Sequence, residues 1–140
     1  MHYRYAAEIE QDEVEAEDPE VKQFNTIYDE LDGELKDRKF KQAKPESGAW
    51  DIHGKPWIYE INKYQIWVYC TPQWLQQEVT GQDHNYHSIT GHLQRGKILD
   101  RFEFKPRSLD SLKSYIPKAL AKVDKYLEAI EKSYSELWFK

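Results

Sequence analysis

The sequence predicts an α+β fold: an antiparallel four- to five-stranded sheet packed against a long C-terminal helix, with an N-terminal helix at the edge or on the second face. Three observations carry this expectation. Leu109, Ile116, Val123, Ile130 and Leu137 recur every seven residues without a break, the spacing of one continuous helical face. Between residues 49 and 104, short runs rich in β-branched and aromatic residues alternate with turn dipeptides. Seven large aromatics, Trp50, Trp57, Tyr59, Tyr64, Trp67, Tyr69 and Trp74, fall within 25 residues. They occupy both parities of the expected strands, so a one-sided core does not absorb them all.

Residues 2–9 mix aromatics with charges and read as a first strand, and residues 10–18 as an acidic mobile link poor in apolar groups. A helix signal follows. Asp18 is an N-cap, Pro19 suits the first helical position, and Glu20 complements the positive helix end. Val21, Phe24, Tyr28, Leu31 and Leu35 then repeat at spacings of three and four, giving one apolar face. Gly33 in the helix interior costs about 1 kcal/mol relative to alanine and blurs the C-terminal boundary.

Residues 39–48 read as a basic loop. Strands are expected at 49–53, 57–61 and 64–71, joined by Gly54-Lys55-Pro56 and by Asn62-Lys63. Thr71-Pro72 repeats the cap-then-proline signal and opens a short helix over 72–79, closed by Gly81. Strands at 86–93 and 97–104 flank Gln94-Arg95-Gly96, a hairpin loop whose glycine supplies positive φ. Ser108 caps the last helix. There Leu112, Ala119 and Tyr126 widen the seven-residue stripe on one flank and Leu120, Leu127 and Tyr134 on the other. A stripe that broad suits packing across a sheet better than a two-stranded coiled coil. Pro117 cannot donate to the helical ladder, which predicts a kink or restart near Tyr115–Ile116.

At 140 residues the chain fits a single domain spanning 1–140. No apolar run approaches the roughly 18 residues of a membrane span, and the first residues lack the apolar core of a signal peptide. One cysteine, Cys70, leaves neither an internal disulfide nor a thiolate cluster, so a reduced cytoplasmic setting is expected. The net charge of −5 is uneven: residues 1–38 hold 13 acidic and 4 basic residues, and the remainder is net positive.

Little in the chain points to catalysis. The phosphate-loop, dinucleotide-binding and nucleophile-elbow patterns are absent, and no cofactor is called for. His84, His87 and His92 are the one cluster that could serve a hydrolase or metal enzyme, yet His87 and His92 have opposite parity on a strand and would point to opposite faces. Cys70 shares a strand face with Tyr64, Ile66 and Val68 and reads as a small buried hydrophobe.

The aromatics and neighbouring cations carry the functional expectation. Trp57, Tyr59, Trp67, Tyr69, Trp74, Lys55, Lys97 and Arg101 are the candidate binding residues. They point first to a non-enzymatic protein-interaction module, an adaptor, inhibitor or regulator, that uses an aromatic-rich sheet and an amphipathic helix to bind a protein partner or a second copy of itself. The same aromatic-basic set is the equipment of single-stranded nucleic-acid binding, the alternative reading.

Overall fold

A computed structural model of the chain describes residues 18–42, 56–75 and 85–138, with side chains through residue 133. Helix α1 spans Pro19–Asp37. It begins where the sequence places it: the Asp18 carboxylate accepts the Glu20 N–H at 2.9 Å, satisfying one of the unpaired donors of the first turn. It continues past Gly33, which is solvent-exposed, and closes on Lys39 at φ 73°. The Phe40 N–H returns to Leu35 O and the Lys39 N–H to Lys36 O, each at 3.0 Å. This is the left-handed helix ending that usually employs glycine, and Leu35 and Phe40 bury together beside it.

Five strands follow: β1 Lys41–Gln42, β2 Trp57–Ile61, β3 Tyr64–Thr71, β4 Ser88–Arg95 and β5 Lys97–Phe104. They form one antiparallel sheet in the order of the sequence. The β2–β3 turn holds Asn62 at φ 48° and Lys63 at φ 71°, the pair of positive values a two-residue hairpin requires. Gly96 turns β4 into β5 at φ 79°, and the register slips by one residue between Leu93 and Gln94. β1 lies inside the segment expected to be a loop. Its two residues, paired with Trp57 and Ile58, are too few to carry an alternating pattern. The strand expected at 86–93 is displaced to Ser88–Arg95, because Tyr86 and His87 precede the ladder.

Helix α2 spans Leu109–Trp138 as one helix, with Pro117 inside it and no restart at Tyr115–Ile116. Pro117 and Lys113 are both exposed, so the proline sits on the solvent side of the helix, away from the core stripe. The α2 stripe packs across β4, reaching β3 and β5 on either side. Of the placements open to α1, the fold adopts the edge: α1 lies beside α2 over the β1–β2 end. Gln23 bonds Asp110 at 2.8 Å, and Arg38 clasps Asp124 through two nitrogens at 2.8 and 3.2 Å. These ties, near the start and the end of α1, set the two helices side by side in the same direction.

Both helices therefore occupy one face of the sheet. The core between the layers holds Phe24, Ile27, Leu31 and Leu35 of α1, Trp57, Ile66, Val68, Cys70 and Ile89 of the sheet, and Leu112, Ile116, Ala119, Val123 and Ile130 of α2. Among the described residues no helix is long and apolar enough to cross a membrane. The strands expected at 2–9 and 49–53, the link at 10–17, residues 76–79 of the short helix, Lys55 and His84 lie outside the described residues, as do the side chains of Tyr134 and Leu137.

Gly91 holds the middle of this core. A Cβ there would meet Cε2 and Cζ of Phe102 at 2.6 Å and the Trp67 carbonyl oxygen at 2.8 Å. The Phe102 ring thus lies over bare backbone, and the Trp67 backbone has little freedom to retreat. Gly91→Ala is expected to lower unfolding stability by about 1–3 kcal/mol. Gly33→Ala, whose Cβ meets nothing within 4 Å, should raise it by up to about 1 kcal/mol. Urea unfolding of the pair checks both; a neutral Gly91→Ala would mean that Phe102 is seated elsewhere.

Candidate functional site

The face of the sheet turned away from the helices is open among the described residues. Register decides what stands on it. Trp57 pairs with Val68, Ile58 with Trp67 and Tyr59 with Ile66. Directly opposed residues share a face, so Trp57 and Tyr59 go with the Ile66–Val68–Cys70 side and turn inward, while Ile58 and Glu60 go with Trp67 and Tyr69. On β4 and β5, Thr90, His92, Gln94, Ile98, Arg101 and Glu103 complete the open face.

Its centre is a stack of three rings. Trp67 sits directly opposite His92, with ring centroids 5.9 Å apart and planes 13° from parallel. Tyr69, two residues along the same strand, stacks at 6.2 Å and 22°. A hydrogen-bonded chain holds the stack in place. Gln65 Oε1 accepts Trp67 Nε1–H at 3.0 Å and Gln94 Nε2–H at 2.7 Å, while Gln65 Nε2 donates to Glu60 at 2.8 Å. The Gln94 oxygen is thereby turned to His92 Nε2 at 2.9 Å. That oxygen can only accept, so Nε2 carries a proton. Partial burial raises the Tyr69 phenol above its ordinary value, keeping it a neutral hydroxyl.

Beside the stack lies a hollow of about 320 Å³, walled by Tyr69, Thr90, His92, Ile98, Arg101 and Glu103 and floored by the backbone of Gly91 and Phe102. Arg101 is exposed and forms no ion pair among the described residues, whereas Glu103 meets Lys105 Nζ at 3.3 Å. The face is close to electrically balanced, with Lys41, Arg101 and Lys105 set against Glu60 and Glu103.

Of the expected binding residues that the structure describes, three meet here: Trp67, Tyr69 and Arg101; Lys55 lies outside the described residues. Trp57 is fully buried, stacked obliquely on Tyr28 at 4.7 Å, and its indole N–H donates to Asp32 at 2.7 Å. Tyr59 lies against Phe40 at 5.6 Å and Trp74 against Phe24 at 5.8 Å, both at the rim of the core. Lys97 stands at the β4–β5 turn opposite Arg95, which covers the Tyr64 ring on the helix side at 5.0 Å. The residues missed were Gln65, Gln94 and Ile58, and His92 was expected only in the histidine cluster. Their signal was present, since the two-residue Asn62-Lys63 loop fixes the β2–β3 register and so separates the two sets of aromatics.

His87 and His92 lie on opposite sides, as their parity requires. His87 is buried, stands edge-on to Trp74 at 6.0 Å, and its Nδ1 accepts the Gln73 N–H at 3.0 Å, fastening the start of the helical turn at 73–75. Among the described residues no group of three or more His, Cys, Asp or Glu side chains could hold a metal ion. The Cys70 thiol is pushed up to about 12 by burial, which keeps it protonated and inert.

Burial holds the pKa of His87 below its ordinary 6.5, opposed by the nearby charge of Glu20. A depressed histidine pKa means that folding favours the neutral ring. This contribution to stability is complete above about pH 6.5 and is lost as the pH falls through that value towards the folded pKa. Urea unfolding between about pH 7.5 and pH 5 should therefore show a steeper loss for the native chain than for His87→Gln. Coincident slopes would mean that His87 is not a buried acceptor.

Comparison with protein-family models, with curated proteins and with solved structures finds no match to this chain.

Proposed function

We propose that the protein is a non-enzymatic interaction module that docks a protein partner on the open face of its sheet. The observation that carries this reading is the His92–Trp67–Tyr69 stack, held in place by the Gln65–Gln94 chain on a face of nearly balanced charge. Rigid, partly exposed aromatics give large contact area at small entropic cost, and the amide and hydroxyl groups around them can pair with a partner's backbone. The α2 stripe is consumed by the core, so the docking surface reduces to the sheet.

The alternative, single-stranded nucleic-acid binding, draws support from Arg101 beside the same rings. It is disfavoured because phosphate neutralisation needs several free cations, and this face has three against two carboxylates, with Lys105 already paired to Glu103. A photo-crosslinking side chain at Thr90 tests both readings in cells. The expected result is a discrete protein adduct that Trp67→Ala abolishes and that the same probe at Lys113, on the exposed side of α2, does not form. Adducts to RNA or DNA, together with salt-sensitive binding of labelled oligonucleotides by the purified chain, would replace the docking reading with the alternative.

A further inference from the structure

β5 is the last strand of the sheet. It pairs with β4, and among the described residues nothing pairs with its other edge. Of its eight residues only Phe102 is buried and Phe104 partly so. An unpaired edge of that length is a template for another strand. We propose that the strand added here is β5 of a second copy, antiparallel about a two-fold axis, so that the sheet runs on through both subunits.

Charge selects the second copy as occupant. Asp100, Phe102 and Phe104 oppose Leu93, Gly91 and Ile89 and stand on the helix side, whereas Arg101 and Glu103 oppose His92 and Thr90 and stand on the open side. A two-fold axis perpendicular to the sheet keeps the two sides distinct, so it must pass through a residue rather than between two. An axis at Asp100, Arg101 or Glu103 sets that residue against its own charge, and one at Phe104 overlaps only the strand ends. An axis at Phe102 sets Arg101 against the partner's Glu103 and Glu103 against the partner's Arg101. Both pairs form on the open face, with Phe102 against the partner's Phe102 beneath. Self-complementarity of this kind is what an isologous interface demands, and cross-strand pairs of opposite charge favour it over the registers centred on Asp100, Arg101 or Glu103. The guanidinium that has no ion partner among the described residues of one chain acquires one from the next. The exposed Lys105 that Glu103 now meets is easily released.

The partner's Glu103 also borders the hollow beside Tyr69 and His92, and the axis turns both hollows to the same side of a doubled sheet. A contact of one strand edge is small, under about 1,200 Å² in total, so exchange between monomer and dimer should be rapid. Two exposed ion pairs make it sensitive to salt.

Sedimentation velocity of the full chain across a wide concentration range, at low and at physiological salt, tests this. A concentration-dependent dimer, tighter at low salt, is expected. Arg101→Glu alone or Glu103→Arg alone should weaken it about tenfold or more, and the double variant Arg101→Glu/Glu103→Arg should restore it with the pairs reversed. Both positions are exposed, and far-ultraviolet circular dichroism checks that the variants stay folded. A strict monomer overturns the proposal, as does a dimer indifferent to the single reversals or not restored by the double one. The inference is independent of the docking reading: a monomer that still crosslinks a partner at Thr90 removes only the dimer, and a dimer with an inert face removes only the docking.

Discussion

Trp57→Ala should lower unfolding stability by about 3–5 kcal/mol, the range for removing a fully buried large aromatic. The indole has no exposure to solvent, lies against Tyr28, and donates its N–H to Asp32 of α1 at 2.7 Å. Truncation leaves a cavity between β2 and α1 and removes a polar contact that fixes the helix to the sheet. Trp57→Phe reduces the first effect, since it retains a six-membered ring while losing the donor and the remaining part of the indole. Asp32 keeps its ion pair with Lys36 at 3.0 Å, so that variant should cost less, about 1–3 kcal/mol. Urea unfolding followed by circular dichroism measures both. A Trp57→Ala variant as stable as the native chain, but with weakened crosslinking at Thr90, would return Trp57 to the binding residues.

Ile130→Ala is the second large effect, about 2–5 kcal/mol. Its sign is the informative part. Alanine is the better helix former by a few tenths of a kcal/mol, so at an exposed position of α2 the change would stabilise. Ile130 is instead 3% exposed and belongs to the core cluster, so the cavity outweighs the propensity gain. Ile130→Val, which removes one methyl group, should cost about 0.5–1.5 kcal/mol. Neutral or stabilising values for both would mean that the seven-residue stripe does not face the sheet.

Much of this fold was legible wherever local chemistry is decisive. The bounds of β2, β3 and β5 match those expected, because Asn62-Lys63 and Gly96 take positive φ and leave the chain no other place to turn. Asp18 caps α1 as expected, since its carboxylate reaches the unpaired N–H of Glu20. The α2 stripe was evident from its period, and its width pointed to a sheet as the packing partner. β1 was not legible: two residues acquire strand geometry only because β2 is there to pair with them.

By itself, then, the sequence determined α1, β2, β3, β5 and α2, where the hairpins turn, and which residues alternate across those strands, since all of these follow from nearest-neighbour sterics and hydrogen bonding. What would cover the apolar strand face was decided by tertiary structure alone. Trp57 and Trp67 are alike as residues, and only the β2–β3 register puts Trp57 on the apolar Ile66–Val68–Cys70 side. The choice depends on α1 and α2 settling on the same side, where Asp32 meets the Trp57 indole and Arg38 meets Asp124. Those contacts join residues 25 and 86 positions apart, a separation that local chemistry does not span.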